Sequence, residues 1–285
     1  MHNALGLCFS HLSGTMQAHS EGLPTLAYQI GLNARAAVTC AYMAAENLIG
    51  PKDFLEGDYG YFNVIEGEHQ SKHFSQLGRI WRITELSHKP FPSGRASHGA
   101  VDAVLQLMKV HQLQANQIKH ITLYVPPLVK RLVDRPYQVT MSTSYAKLCM
   151  SYLMATALEN GALTLDDFSP ELYAKTERIA LAAKVSLIAN ELNDPNALSP
   201  LTLNLELTHG KRIQQSVNTV LGSPDNPLNL EQQLEKFHRC CLGARKPLSA
   251  SRIDELVTNI LNLEQLTTVD NLISLLSNSK ETATL

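Results

Sequence analysis

The 285-residue sequence predicts an α+β fold in which helical segments at both ends flank a mixed α/β region. Alanine and other small residues crowd residues 33–49, as in closely packed helices. Residues 118–125 instead alternate between apolar and polar side chains and end at a Pro-Pro pair, which is typical of a β-strand. Asn229 and Gln232 have the spacing of a capping box, which predicts that a helix begins there.

The first segment, residues 1–78, is predicted to be helical. Its clearest helix is NARAAVTCAYMAAENLI, residues 33–49, which a Gly-Pro pair terminates. Arg35 falls in the predicted first turn, where a cation opposes the helix dipole by about 0.3–1 kcal/mol. A bound anion would remove this conflict. Alternatively, Arg35 extends to water or pairs with a carboxylate such as Glu46.

The second segment, residues 79–220, is the predicted α/β region. A helix should begin after Ser97, because apolar side chains recur there at the spacing of one buried helical face: Val101, Val104, Leu105 and Met108. Another helix is predicted from about Ser144 to Asn160, with Gly161 as its stop. The predicted strands are residues 79–85, 118–125, 184–189, 201–208 and 212–217, of which the last two form a hairpin.

The third segment, residues 221–285, is predicted to be helical again. Helices should begin at Asn229, near Ser251 and near Thr268, and the polar residues 277–285 should fray. The first of these helices carries an apolar stripe of Leu230, Leu234, Phe237 and Cys241. Metal binding by His238, Cys240 and Cys241 is the weaker interpretation, because zinc sites usually need two spaced pairs of ligands.

Composition narrows the class of function. The formal net charge is −2 and no block of like charge occurs, so nucleic-acid and membrane-surface binding have no support. Charged residues make up only 18%, which suggests that part of the surface is covered by another domain or subunit. The five cysteines are an odd number at wide spacing, which indicates a reducing compartment. With no secretory signal and no long apolar run, we expect a cytoplasmic location.

The stretch KPFPSGRASHGAVDAV, residues 89–104, is the first candidate site. Lys89 and Arg95 lie in a proline-stiffened loop directly before a predicted helix, where backbone N–H groups and the dipole favour an anion. The alternative is a surface loop with solvated cations. His98 and Asp102 lie four residues apart on the same helix, so the carboxylate could orient the imidazole for acid–base work or could only stabilise the first turn.

Four stretches then follow one another as in the MmgE/PrpD family, which the chain resembles over nearly its whole length. They are SGTMQAHSEGLPTLAYQIGLNARAA, IGPKDFLEGDYGYF, KPFPSGRASHGAVDAV and SYAKLCMSYLMATALENGALTLDDF, and NPLNLEQQLEKFHRCC is similar to the family's closing helical segment. The resemblance implies a large helical domain and a smaller α/β lid. Residues 1–78 and 221–285 would then belong to the helical domain and residues 79–220 to the lid.

The same resemblance implies a function. Family members act on di- and tricarboxylates without a metal or other cofactor, and they dehydrate, decarboxylate or epimerise their substrates. A 2-methylcitrate dehydratase-like reaction, which would belong to propionate metabolism, is the expectation here. Lys89 matches an active-site lysine that would bind a carboxylate or stabilise enolate-like charge. Arg35 resembles a second carboxylate clamp. Arg95 is a weaker candidate for substrate binding and His98 for catalysis, and a homodimer is the expected assembly.

Three departures from the family pattern limit these expectations. The chain resembles a family member that begins inside the helical domain, so the segment that carries an acid–base aspartate and histidines is expected to be missing. Gln29 stands where many members hold a lysine. Leu132 stands where cis-aconitate decarboxylases hold a tyrosine, which argues against that decarboxylation. The alternative function is therefore a catalytically incomplete chain that binds carboxylates, or pairs with a separate chain that supplies the missing helices.

Overall fold

A computed structural model of the chain describes residues 1–67 and 71–276, and it has the α+β architecture that the sequence predicts. The predicted fraying of residues 277–285 lies outside the described residues. The first helices are α1 (His2–Phe9), α2 (Gln17–Ser20) and α3 (Thr25–Ala45). Helix α3 packs on α1 and buries only Cys40, so most of its surface is open.

Helix α3 begins at Thr25, well before the predicted start at residue 33. Arg35 is therefore in the helix interior and not in the first turn, and the predicted conflict with the helix dipole does not arise. The helix ends at Ala45, a few residues before the predicted stop, and Asn47 takes a positive φ of 66° in the turn that follows.

The connection from α3 to the α/β region is irregular. It contains a π-helical turn at Phe62–Glu66 and 3₁₀ turns at Ser71–Gln76, Arg82–Glu85 and Arg95–Ser97. The predicted strand at residues 79–85 is wrong. Arg82 Nη1 instead donates to Glu85 Oε1 at 2.7 Å, an i,i+3 contact that suits a helical turn. Among the described residues no strand pairs with this exposed stretch.

A four-stranded sheet forms the centre of the α/β region, in the order β2-β1-β3-β4. The strands are β1 (Ile118–Val125), β2 (Val185–Ala189), β3 (Leu201–Leu207) and β4 (Arg212–Val217). Strand β1 is parallel to β2 and antiparallel to β3, and β3 and β4 form the predicted hairpin. The alternating apolar residues of β1 and β3 are buried, which confirms that one face of the sheet covers the core.

Helices α4 (His98–His111) and α7 (Met150–Asn160) pack on each other, and each also contacts the sheet. The crossover from β1 to β2 also includes α5 (Pro127–Val133), α6 (Thr143–Ala146), α8 (Pro170–Tyr173) and α9 (Thr176–Ala182). Most of the buried apolar side chains lie between these helices and the sheet, including Val101, Val104, Ile121 and Leu153.

The predicted helix from Ser144 to Asn160 is interrupted at residues 147–149, between α6 and α7. The carbonyl of Lys147 accepts a hydrogen bond from the Gly94 N–H at 2.9 Å, so a loop distant in sequence takes up a group that a continuous helix would use. A Cβ added at Gly94 would lie 2.4 Å from Leu148 Cδ2, so a larger residue there would require the Leu148 side chain to shift.

The C-terminal helices are α10 (Leu230–Leu242), α11 (Ala250–Leu261) and α12 (Asp270–Leu276). The predicted capping box is present, since Asn229 Oδ1 accepts from the Gln232 N–H at 2.8 Å. The apolar stripe that includes Cys241 was expected to face the core, and this expectation is wrong. Helix α10 has no fully buried residue, and three members of its apolar stripe, Leu230, Leu234 and Phe237, line a groove towards α11.

The loop before α4 crosses the turn that follows β4 in close backbone contact. The His88 N–H donates to the Gly222 carbonyl at 2.8 Å. Gly222 has a φ of 87°, and a Cβ there would lie only 2.0 Å from the His88 oxygen. Glycine is therefore needed at residue 222 both for its backbone conformation and for space.

Gly222→Ala should destabilise the protein more than Gly210→Ala. Gly210 has nearly the same φ, 89°, but nothing lies within 4 Å of its added Cβ. Gly210→Ala should cost about 1–2 kcal/mol from backbone strain alone, and Gly222→Ala should cost at least ~1 kcal/mol more. Urea unfolding followed by circular dichroism measures both. Equal losses of unfolding free energy in the two variants would show that the backbone crossing at residue 222 accommodates the added Cβ at no extra cost.

A cationic cleft around Lys89 as the candidate functional site

The loop that carries Lys89 is held from inside by Ser93. Lys89 is exposed and its Nζ donates to the Ser93 carbonyl at 3.4 Å. Ser93 itself is buried, and its Oγ lies 2.8 Å from Ser97 Oγ. Ser97 Oγ also donates to the Gly94 carbonyl at 2.8 Å. These contacts, with two prolines, restrict the positions that Lys89 can take.

Arg95 joins this loop to the turn after β4. Its guanidinium donates to the Leu221 carbonyl and to Ser223 Oγ, each at 2.8 Å, and to the Val220 carbonyl at 3.4 Å. Partial burial lowers the pKa of Arg95. Both terminal nitrogens of the guanidinium thus donate hydrogen bonds within the protein. Arg95 therefore stabilises the loop crossing rather than binding a ligand.

His98 is fully buried at the start of α4. Its Nε2 lies 3.3 Å from the Ser93 carbonyl, so Nε2 carries the proton, and the ring packs edge-on against Phe91. Burial lowers the pKa of His98 to about 3, and the nearby charges of Arg95, Lys89 and Lys236 add to this effect. The imidazole is therefore neutral at physiological pH.

The structure does not pair His98 with Asp102. Asp102 accepts instead from Gln106 Nε2 at 2.8 Å, and burial raises the pKa of its carboxyl. Nδ1 of His98 has no partner among the described residues. Although the two residues lie four apart on one helix, the Asp102 carboxylate does not contact the His98 imidazole.

The predicted anion site at the α4 N-terminus is not open either. Residues 96–100 are all buried, and Gly99 packs so closely that a Cβ would lie 2.7 Å from Leu201 Cδ2. The first N–H groups of α4 therefore face protein, and an anion near Lys89 would have to be bound from the other side of the loop.

On that side lies a cleft of about 680 Å³ between three parts of the chain. One wall is the loop from Lys89 to Ser93, the second is formed by Lys147 and residues 163–166, and the third is α10. Four cationic side chains line it: Lys89, Lys147, Lys236 and Arg239. Asp166 is the one carboxylate among its described lining residues, so the cleft carries an excess of positive charge.

Lys147, Lys236 and Arg239 were not among the site residues predicted from the sequence. Lys147 lines the cleft from the interruption between α6 and α7, and its Nζ lies 5.3 Å from the centre of the Phe168 ring. Lys236 and Arg239 lie three residues apart, which puts them on one face of α10. The spacing of Lys236 and Arg239 is visible in the sequence, but no local pattern indicates that this face of α10 lies near the Lys89 loop.

Buried hydrogen bonds fix the second wall. Arg178 is 2% exposed, and it contacts Glu159 Oε2 at 2.6 Å and Asp167 Oδ1 at 3.3 Å. Asp167 also accepts from the Thr164 N–H at 2.7 Å, which closes a capping box around residues 164–167. The lining residues 163–166 are thus attached to a buried ion-pair network.

Arg35 is not among the residues that line the cleft. It is exposed on α3 and forms no salt bridge within the described ranges, 1–67 and 71–276. The structure thus brings Lys89, Arg95 and His98 together and leaves Arg35 apart. Gln29 lies against Gly14, whose added Cβ would meet Gln29 Cδ at 3.0 Å, and Leu132 packs on the core.

The described residues contain no group of three His, Cys, Asp or Glu side chains that could hold a metal ion. This includes the stretch from His238 to Cys241, in which Cys240 is exposed and Cys241 is partly exposed. None of the helices in this part of the chain is both long and apolar enough to cross a membrane.

Comparison with protein families gives two matches. The model of the MmgE/PrpD C-terminal domain matches residues 91–261, and that of the MmgE/PrpD N-terminal domain matches residues 1–73. Together they place the cleft mainly within the matched C-terminal domain.

Two curated relatives are distantly similar. Cis-aconitate decarboxylase of Aspergillus terreus is 24% identical over 295 residues, which cover 97% of this chain and 59% of the relative. The protein of the same name from strain NIH 2624 / FGSC A1156 is 23% identical with the same coverage. The chain thus spans 59% of the length of these relatives.

His98 should make the protein sensitive to acid. Between pH 6.5 and about 3 the unfolded chain binds a proton at His98 and the folded chain does not. Stability should therefore fall as the pH drops below 6.5, by up to about 1.4 kcal/mol per pH unit from this group. His98→Gln should flatten the pH dependence of urea unfolding between pH 6.5 and 4.5, whereas His209→Gln, in the exposed hairpin turn, should leave it unchanged. Identical slopes for wild type and His98→Gln would refute the assignment.

Proposed function

The chain belongs to the MmgE/PrpD family, and from this premise we propose that it acts on a di- or tricarboxylate as a metal-independent lyase of the 2-methylcitrate dehydratase type. The observation that carries the proposal is the excess of cations around Lys89 in a cleft of about 680 Å³. Fixed cations neutralise carboxylates, and a substrate with two or three carboxylates needs several of them.

In the proposed reaction a proton leaves the carbon next to a carboxylate, and a hydroxyl group on the neighbouring carbon departs with a proton as water. Negative charge builds up on the carboxylate as its α-proton is removed. Lys89 is exposed to the cleft and held by Ser93, so its ammonium group could stabilise that charge without rearranging. We assign Lys89 both substrate binding and transition-state stabilisation.

We propose different roles for the other predicted site residues. His98 is buried and neutral, so it would act as a positioning residue that holds the Ser93 carbonyl to which Lys89 also donates. Arg95 would hold the loop against residues 220–223. Arg35 would contribute only if a ligand or another segment brought it to the cleft.

The groups that accept and donate protons in the proposed reaction would then come from a segment outside the cleft. By family resemblance these groups are an aspartate and histidines from the helical domain, and the chain spans 59% of the relatives' length. The relatives bear the name of a decarboxylase, whereas Leu132 in the place of a tyrosine argues against that decarboxylation here.

The second candidate function is that of a binding component that turns over substrate only with a partner. The observation in its favour is the exposed apolar surface of α3 and of residues 77–86, where Tyr42 and Ile83 are 73% and 74% exposed. We take the partner to be a chain that carries the helical-domain segment. Its test is co-expression with the product of any coding segment directly upstream: turnover in the complex alone supports this function, and equal turnover by the isolated chain excludes it.

A thermal melt with citrate-type tricarboxylates tests the ligand class directly. A ligand at about 100 times its dissociation constant adds roughly 2.7 kcal/mol to the stability of the folded state. We expect a saturable rise in melting temperature that weakens as salt is added, because the contacts are charged. A cooperative melt that no di- or tricarboxylate shifts would contradict the proposal.

Lys89→Ala should reduce turnover by about 10²–10³-fold, the usual effect of removing one charge-stabilising group. Lys109→Ala, an exposed lysine in the last turn of α4, is the matched control and should retain activity. Steady-state assays of the active form, alone or with its partner chain, measure both variants. Unchanged turnover in Lys89→Ala would sink the assignment of Lys89.

A further inference from the structure

We propose that Lys236 and Arg239 of α10, together with Lys147, form a second carboxylate-binding subsite that faces Lys89 across the cleft. The inference rests on the proposed function in taking the ligand to be a carboxylate, and it adds the residues that would select for a further carboxylate group. It gives α10 a direct part in ligand binding.

Cations from separate parts of the chain line the same cleft. The cleft is lined by the Lys89 loop on one side and by α10 on another, with Lys147 between them. Burial lowers the pKa of His98, and the charges of Arg95, Lys89 and Lys236 add to this effect, so Lys236 and Lys89 both lie near the same imidazole. A ligand in the cleft would therefore meet cations from three separate segments.

The cations of the cleft have few counter-charges in the described part of the chain. Within residues 1–67 and 71–276, Lys89, Lys147 and Lys236 form no salt bridge. Arg239 has a long contact of 3.8 Å with Glu235, and both side chains are largely exposed. Such a pair contributes little, so it could be exchanged for a ligand carboxylate at small cost.

The nearby carboxylates are Asp166, Glu235 and Asp102. Asp166 lies in the cleft, while Glu235 and Asp102 line a smaller neighbouring cavity of about 220 Å³ together with Lys236 and Arg239. Glu235 is thus the residue that competes most directly with a ligand for the α10 cations. This makes Glu235→Gln an informative variant, because removing the competitor should strengthen binding.

The test uses two unreactive probes, tricarballylate with three carboxylates and succinate with two. Dissociation constants are measured by isothermal titration calorimetry on the full chain. Lys236→Ala/Arg239→Ala should weaken tricarballylate binding at least about tenfold and change succinate binding much less, since charged hydrogen bonds contribute more than neutral ones. Lys89→Ala should weaken both probes, and Glu235→Gln should tighten tricarballylate binding a few-fold.

The matched control is Lys109→Ala/Lys211→Ala, which removes the same charge from two exposed sites outside the cleft. It should leave both constants unchanged. Alanine preserves helix propensity, so circular dichroism and the melting temperature should show that α10 remains intact in the double variant.

Cys240 provides an independent readout because it is exposed and lines the cleft one residue after Arg239. Saturating tricarballylate should slow alkylation of Cys240 by iodoacetamide, measured by mass spectrometry of the peptide, and should not slow that of Cys8 on α1.

The outcomes separate this inference from the proposed function. If Lys89→Ala weakens both probes but Lys236→Ala/Arg239→Ala alters neither, and Cys240 is not protected, the α10 subsite is refuted and the role of Lys89 stands. If neither probe binds the wild-type chain, the proposed function and the subsite fail together.

Discussion

The contact of Arg95 with residues 220–223 is the interaction on which the site depends. The Lys89 loop and the turn after β4 are more than 120 residues apart in sequence, yet the guanidinium satisfies two carbonyls and one hydroxyl of that turn. The backbone bond between His88 and Gly222 completes the crossing. Because α10 begins soon after this turn, the same contact also sets where Lys236 and Arg239 can lie relative to Lys89.

The site is built from interruptions of regular structure. Lys89 lies in a proline-containing loop, and Lys147 lies where the helix breaks between α6 and α7. At this break the Lys147 carbonyl accepts a hydrogen bond from the Gly94 N–H, which belongs to the Lys89 loop. One hydrogen bond therefore links the backbones of two walls of the cleft. Buried groups on the protein side, Ser93 and His98, are neutral and hydrogen-bonded to the loop. Positive charge is therefore concentrated on the side that faces solvent.

Local patterns were enough to predict much of the fold. Alternation identified β1, and the spacing of Asn229 and Gln232 located the start of α10, because these signals need only neighbours in sequence. The strand predicted at residues 79–85 failed because a strand needs a partner. The site was less accessible to prediction. Lys89 stood out beside its prolines, whereas Lys147 lay inside an apparent helix, and Arg35 was placed in a first turn because the start of α3 at Thr25 was not recognised.

The proposed function of the cleft offers a reason why four cationic side chains lie so close together. Like charges in a partly enclosed space repel each other, and here the described lining offers one carboxylate against four cations. That arrangement costs folding free energy unless an anion occupies the cleft. Residues that only solubilise the surface could be spread out, as Lys109 and Lys211 are. A polyanion that binds in the cleft would offset this repulsion, and Lys89 would then stabilise the further charge that develops as the α-proton leaves in the proposed reaction.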